Sequence, residues 1–299
     1  MLWEQRLTDN TIHCVRVFVH GPEGGNPVPL VADARGWTPE QMRGLAERSG
    51  YESAFLLPAS DARADWRIRY FVPQHEMEMC GHATVGSLWA LRQWGQWTTP
   101  SAVVETLAGL VDVQWDAEHG RPWVSQPAVS AEPLTSSQRI RVAEVLRLPA
   151  AGGYTMTNAS TSRVKTLVQM PSVDALQGLK PDFTSMEALC EEIGSTGLYP
   201  FALGEMADAG APEVFARQFP KASGYPEDAA TGIAAAALWG HLAATGMLTV
   251  GTAQAPITCV VRQGDAMGRP SAIEVRPRFD AAGGSLGCWL SGRVEWASL

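Results

Sequence analysis

Hydrophobic and polar positions alternate along His13 to His20 (HCVRVFVH), and the β-branched residues among them predict a strand. Gly21 to Pro27 then reads as a loop and Pro29 to Ala32 as a short second strand. The period changes at Thr38-Pro39-Glu40-Gln41. An N-cap threonine, a proline at the first helical position and a glutamine three residues after the cap predict a helix to about Ser49. Glu52 to Leu57 and Trp66 to Val72 return to strand patterning. Gly81 to Trp94, rich in Ala, Leu and Trp, predicts a helix. Val103 to Leu107, Leu110 to Trp115 and Pro122 to Gln126 predict three more strands.

Ala128 to Ala151 reads as a domain connection holding one short helix, Ser136 to Leu146. Beyond it, Arg163 to Val168, Leu198 to Gly204, Val214 to Phe219, Thr258 to Gln263, Ser271 to Pro277 and Leu286 to Trp296 predict strands. Met186 to Ile193 predicts a helix, and the Ala-rich run Ala229 to Leu248 predicts a long buried one. The two halves repeat loosely. A strand ending Phe71-Val72-Pro73 leads through a polar loop to Cys80-Gly81-His82-Ala83-Thr84 and a helix. A strand ending Gln218-Phe219-Pro220 leads through a loop to Asp228-Ala229-Ala230-Thr231-Gly232 and a helix. Duplication explains this, and so does chance, since small residues open many helices.

Composition narrows the picture. A chain of 299 residues suggests two domains at roughly 150 residues each. Its 45% hydrophobic content supports large cores and excludes global disorder. With 23 basic and 31 acidic side chains the net charge is −8, which repels phosphate backbones and argues against a nucleic-acid partner. Glu4, Arg6 and Asp9 interrupt the apolar run a secretory signal needs. Ala229 to Leu248 is mostly Ala and Gly and contains His241, so no membrane span is expected. Cys14, Cys80, Cys190, Cys259 and Cys288 are odd in number and form no CxxC pair, which argues against a disulfide framework. The expectation is a soluble cytoplasmic protein.

No GxGxxG, P-loop or GxSxG signature is present. Among the histidines only His82 pairs at metal-ligand spacing with another His or Cys, Cys80, which is too little for a site on its own. No metal, flavin or nicotinamide cofactor is therefore expected. Acid/base chemistry remains. Glu52, at the edge of an apolar strand, reads either as a solvent-facing carboxylate or as a base in a dry cleft. Asp228 reads as a helix cap or a polar site residue. His82 in a first helical turn reads as a satisfied imidazole or as a neutral donor or acceptor. Free N–H groups around Gly81-His82-Ala83 and Thr231-Gly232 would favour a carboxylate-bearing small molecule.

Five motifs occur in order: GNP at Gly25 to Pro27, Glu52-Ser53, CGHAT at Cys80 to Thr84, EDxATG at Glu227 to Gly232, and QGxxxGRPS at Gln263 to Ser271. Together they resemble the phenazine-biosynthesis PhzF-like family, within the diaminopimelate-epimerase-like fold, over nearly the whole chain. The resemblance implies an α+β fold of two pseudo-symmetric halves, each a strand-rich, barrel-like sheet wrapped around a central helix. The halves would be residues 1–127, joined by a last strand at about 287–299, and residues 128–286, with the active site in the cleft between them. It implies a homodimer. It places the catalytic glutamate at Glu52, the family histidine at His82 and the second-half aspartate at Asp228, with Gly81, Ala83, Thr231, Gly232 and Ile233 against the substrate.

The implied reaction is a cofactor-independent isomerisation. A proton is moved on a small, cyclic, carboxylate-bearing metabolite, similar to the isomerisation of trans-2,3-dihydro-3-hydroxyanthranilate. The alternatives are a non-catalytic small-molecule-binding protein, or a lyase or cyclisation catalyst using the same cleft. Three positions depart from the family pattern: Ser53 replaces a threonine, Ala229 a proline and Ile233 a serine. Ile233 removes a hydroxyl donor and adds apolar bulk, which implies a changed substrate. Related racemases use two opposed cysteines. Cys80 fills the first position, but Ala229 fills the second, so a two-thiol mechanism is not expected and Cys80 reads as a packing residue.

Overall fold

A computed structural model describes residues 12–149, 153–206 and 212–298, and its first strand, β1 (Ile12–Val17), falls on the alternating segment. Glu4, Arg6 and Asp9, and the end of the expected connection up to Ala151, lie outside the described residues. The chain divides into two units. One takes the chain up to Ser125 together with that from Leu290 onward, and the other takes Gln126 to Trp289.

In the first unit β1 is followed by β2 (Asn26–Val31), α1 (Pro39–Ser49), β3 (Ser53–Pro58), β4 (Trp66–Phe71), β5 (Glu76–Met77) and α2 (Gly81–Gln93). Then come β6 (Ser101–Thr106), β7 (Gly109–Asp116) and β8 (Arg121–Gln126). The capping box of α1 forms as its sequence requires. The Gln41 N–H donates to Thr38 Oγ1 at 3.3 Å, and the Thr38 N–H donates to Gln41 Oε1 at 2.8 Å.

The second unit contains β9 (Ser130–Pro133), α3 (Ser136–Val145), β10 (Met156–Ser160), β11 (Lys165–Gln169), α4 (Val173–Gln177) and α5 (Met186–Glu192). It continues with β12 (Gly197–Met206), β13 (Pro212–Ala216), β14 (Phe219–Pro220), α6 (Gly232–Ala244), β15 (Cys259–Gln263) and β16 (Ser271–Phe279). The single strand expected over Leu286 to Trp296 is two, β17 (Ser285–Ser291) and β18 (Val294–Trp296). The expected connection is also structured: β9 pairs with β10, so it joins the strands of the second unit.

Strand pairing exposes an internal repeat. In the first unit β18–β1 and β1–β2 are antiparallel, β2–β3 parallel, β3–β4 antiparallel, β4–β6 parallel and β6–β7 antiparallel. In the second, β9–β10 and β10–β11 are antiparallel, β11–β12 parallel, β12–β13 antiparallel, β13–β15 parallel and β15–β16 antiparallel. The order of pairings is the same. The second parallel step is crossed by α2 in one unit and by α6 in the other.

Each of these helices lies buried against strands of its own unit. In α2 every residue from Gly81 to Leu88 is buried, and in α6 every residue from Gly232 to Leu242. A helix enclosed this way must be slim. Ala234 to Ala237 supply that on α6, while on α2 a Cβ on Gly86 would lie 2.8 Å from Cγ2 of both Val15 and Val17 on β1. Among the described residues no helix is long and apolar enough to cross a membrane.

Candidate active site

Glu52 sits immediately before β3, and the pairing Ser53↔Phe71 sets the start of β3 beside the end of β4. From there β5 and a short turn lead to Cys80, the N-cap of α2. The first turn of that helix is anchored from below. Thr84 Oγ1 donates to the Cys80 carbonyl at 2.7 Å and accepts from the Tyr70 hydroxyl at 2.7 Å. Burial pushes the Tyr70 hydroxyl well above its ordinary range, so it stays a neutral donor.

This path brings three side chains together. The Cys80 thiol donates to Glu52 Oε2 at 2.9 Å, Cys80 Sγ lies 3.3 Å from His82 Nδ1, and His82 Nδ1 lies 3.4 Å from the same carboxylate oxygen. The side chains of Glu52 and His82 are 13% and 3% exposed, so Glu52 is the less buried of the two. Gly81 and Ala83 are buried in the same turn. Cys80 is buried as expected but does more than pack, because its sulfur touches both acid/base candidates. The sequence counts only Cys80 and His82 as metal-ligating neighbours; Glu52 supplies a third donor, and the three donor atoms lie within 4.8 Å of one another.

Asp228, Thr231, Gly232 and Ile233 form a second constellation in the other unit. Asp228 is buried, and its N–H donates to the Gln218 carbonyl at 3.0 Å. The Thr231 hydroxyl donates to Asp228 Oδ2 at 2.5 Å, and the Thr231 N–H donates to Gln263 Oε1 at 3.2 Å. The Thr231 N–H, expected to be open for an anion, is therefore engaged. Gln263 Nε2 donates to the Asp228 carbonyl at 2.7 Å, and Gln263 Oε1 accepts from the Tyr199 hydroxyl at 2.9 Å. Burial first, and the charge of Asp228 second, hold the Tyr199 hydroxyl well above its ordinary range. Ile233 is buried in the first turn of α6, which has no side-chain cap.

Three residues of this constellation carry no role in the sequence reading. Gln263 had a readable signal: in Cys259–Gln263 the inward positions are Cys259, Val261 and Gln263, which puts an amide on an apolar face. Tyr199 and Arg217 carried none. Arg217 holds Glu227, the neighbour of Asp228, by two bonds of 2.8 and 2.6 Å.

Comparison with known proteins gives concordant results. A family model described as phenazine biosynthesis-like protein matches residues 15–285. An uncharacterized isomerase from Deinococcus radiodurans is 33% identical over 269 residues, which span 87% of this chain and 84% of that protein. The trans-2,3-dihydro-3-hydroxyanthranilate isomerase of Pseudomonas fluorescens is 30% identical, with 87% of each chain covered. The crystal structure of a Bacillus anthracis phenazine biosynthesis protein of the PhzF family superposes with a TM-score of 0.82 at 26% identity, over 96% of both chains.

Proposed function

The chain belongs to the phenazine biosynthesis-like protein family, and from that premise we propose that it is a cofactor-independent isomerase in which Glu52 moves a proton on a small carboxylate-bearing metabolite. Its α+β fold is the diaminopimelate-epimerase-like one. The relatives named as isomerases support the reaction class. The observation that carries the reading is the placement of Glu52. Its side chain is the least buried of an otherwise buried group, at the N-terminus of α2, with a thiol at 2.9 Å and an imidazole at 3.4 Å from the carboxylate.

In this reading Glu52 takes a proton from a carbon made acidic by the substrate's own unsaturation and returns it to another carbon on the same face. Backbone N–H groups around Gly81 and Ala83 favour the substrate's carboxylate, because the first turn of a helix leaves its donors without intrahelical acceptors. His82 and Cys80 hold the base in position. The proposal extends to Asp228 as an orienting residue, on the resemblance and on its fixed position in the Gln263 network. Ile233, buried where the family pattern has a hydroxyl, favours a substrate with an apolar edge and one fewer hydrogen-bonding group than the anthranilate derivative.

Glu52→Gln keeps the shape of the side chain and removes the base. Turnover is expected to fall by about 10²–10⁴-fold, the usual contribution of a general base, with substrate binding largely retained. The measurement is kcat and KM on cyclic carboxylates that the wild type turns over in D₂O. A Gln variant with near wild-type kcat removes Glu52 from the role.

A further inference from the structure

The donor set of Glu52, Cys80 and His82 is also a ligand set. We propose that these three side chains bind one Zn²⁺ ion, and that the ion switches the enzyme off by occupying the carboxylate oxygen that receives the substrate's proton. The inhibitory part rests on the reading of Glu52 as the base; the binding part stands without it.

Geometry supports the site. Zinc bonds of about 2.3 Å to sulfur and about 2.0–2.1 Å to nitrogen and oxygen, set tetrahedrally, put the donor atoms roughly 3.3–3.6 Å apart. Here Cys80–His82 and His82–Glu52 are 3.3 and 3.4 Å, and only Cys80–Glu52, at 2.9 Å, is closer. That pair is held by the thiol proton. Zinc entry breaks the S–H bond, forms a Zn–S bond and releases the proton to solvent, and the two anionic ligands then relax apart around the ion.

Charge and ligand type point the same way. One thiolate, one carboxylate and one neutral imidazole carry two negative charges, which a divalent cation balances in a site where an uncompensated charge is costly. Sulfur and imidazole donors favour zinc over magnesium or calcium, which prefer all-oxygen shells. The positive end of α2 opposes a cation but stabilises the thiolate, and the two anionic ligands touch the ion while the dipole does not. Three protein ligands leave a fourth position for water, the pattern of an exchangeable rather than a sealed zinc site. With Nδ1 on the metal, the His82 proton moves to Nε2, a buried atom with no protein hydrogen-bond partner among the described residues. Zinc-bound histidines usually donate that second N–H, so the site binds reversibly and below the affinity of structural zinc. Among the described residues no other group of three such donors occurs.

Titration of the metal-free full-length chain with Zn²⁺ against a chromophoric chelator is expected to show one equivalent bound. Co²⁺ in its place is expected to show a thiolate-to-metal charge-transfer band. Cys80→Ser should weaken zinc binding by roughly tenfold or more and abolish that band, with the far-ultraviolet dichroism unchanged. No stoichiometric binding to the wild type, binding unchanged by Cys80→Ser, or a cobalt complex without the thiolate band overturns the site. Zinc should also stop turnover, and a chelator should restore it. Stoichiometric binding without inhibition overturns the switch. An active Glu52→Gln enzyme would instead overturn the base assignment, a separate result that leaves the metal titration standing.

Discussion

Arg217 holds the loop that carries Asp228, through five hydrogen bonds from one buried guanidinium. Two reach the carboxylate of Glu227, and Nη1 reaches the carbonyls of Leu176, Gln177 and Leu179 at 3.3, 3.1 and 2.9 Å. Its plane also lies over the Phe219 ring, 4.9 Å from the centroid. A planar fork can satisfy all of these at once and an ammonium cannot. Arg217→Met would leave the Glu227 carboxylate buried and uncompensated, at an expected cost of about 3–5 kcal/mol. Adding Glu227→Gln removes the stranded charge and should recover part of that loss. Urea midpoints of the two variants measure both effects, and a stable single variant would show that the pair does not fix this loop.

At the scale of elements, the position of Cys80 and His82 depends on how closely α2 lies on β1. Gly86 is the point of contact, and Val15 and Val17 opposite it are fully buried. β1 cannot withdraw, because it is paired with β2 on one side and β18 on the other. Alanine at a helical glycine normally gains about 0.5–1 kcal/mol. Overpacking a filled core costs about 1–3 kcal/mol, so Gly86→Ala should destabilise on balance. Trimming one opposing side chain with Val17→Ala in the same chain should return part of the loss. Thermal or denaturant unfolding of the set decides it: a Gly86→Ala protein more stable than wild type would mean that the contact is slack.

For the whole molecule, acid sensitivity begins with two histidines, one in each unit. Burial pushes both His13 and His241 below the ordinary value of 6.5. The unfolded chain then binds protons that the folded chain refuses, so the stability they contribute is present above that value and lost as pH falls through their lower folded values. Stability should decline between about pH 7 and pH 5, and His241→Gln should flatten the slope. Asp33, where bonds to Arg35 outweigh burial and hold the carboxyl below its usual range, adds its own loss at lower pH. Denaturant midpoints across this range test the assignment, and an unchanged slope in His241→Gln would remove His241 from it.

What the sequence determined by itself is what neighbouring residues decide among themselves. The capping box at Thr38, the strand alternation before Phe18, and the runs that became β3, β4, α2 and α6 depend on interactions a few residues long, so a linear reading reaches them. β10 and α4 were missed for the same reason: Met-Thr-Asn-Ala-Ser has little apolar signal, and a five-residue helix has no period to read. Glu52, His82 and Asp228 could be named from ordered motifs, but their surroundings could not. Only the fold sets Glu52 beside Cys80, 28 positions later, and gives that thiol a partner. Only strand register brings Gln263 to Asp228 and Tyr199. A hydrogen bond between residues far apart in sequence requires each intervening pairing to be in place, and no local pattern carries that information.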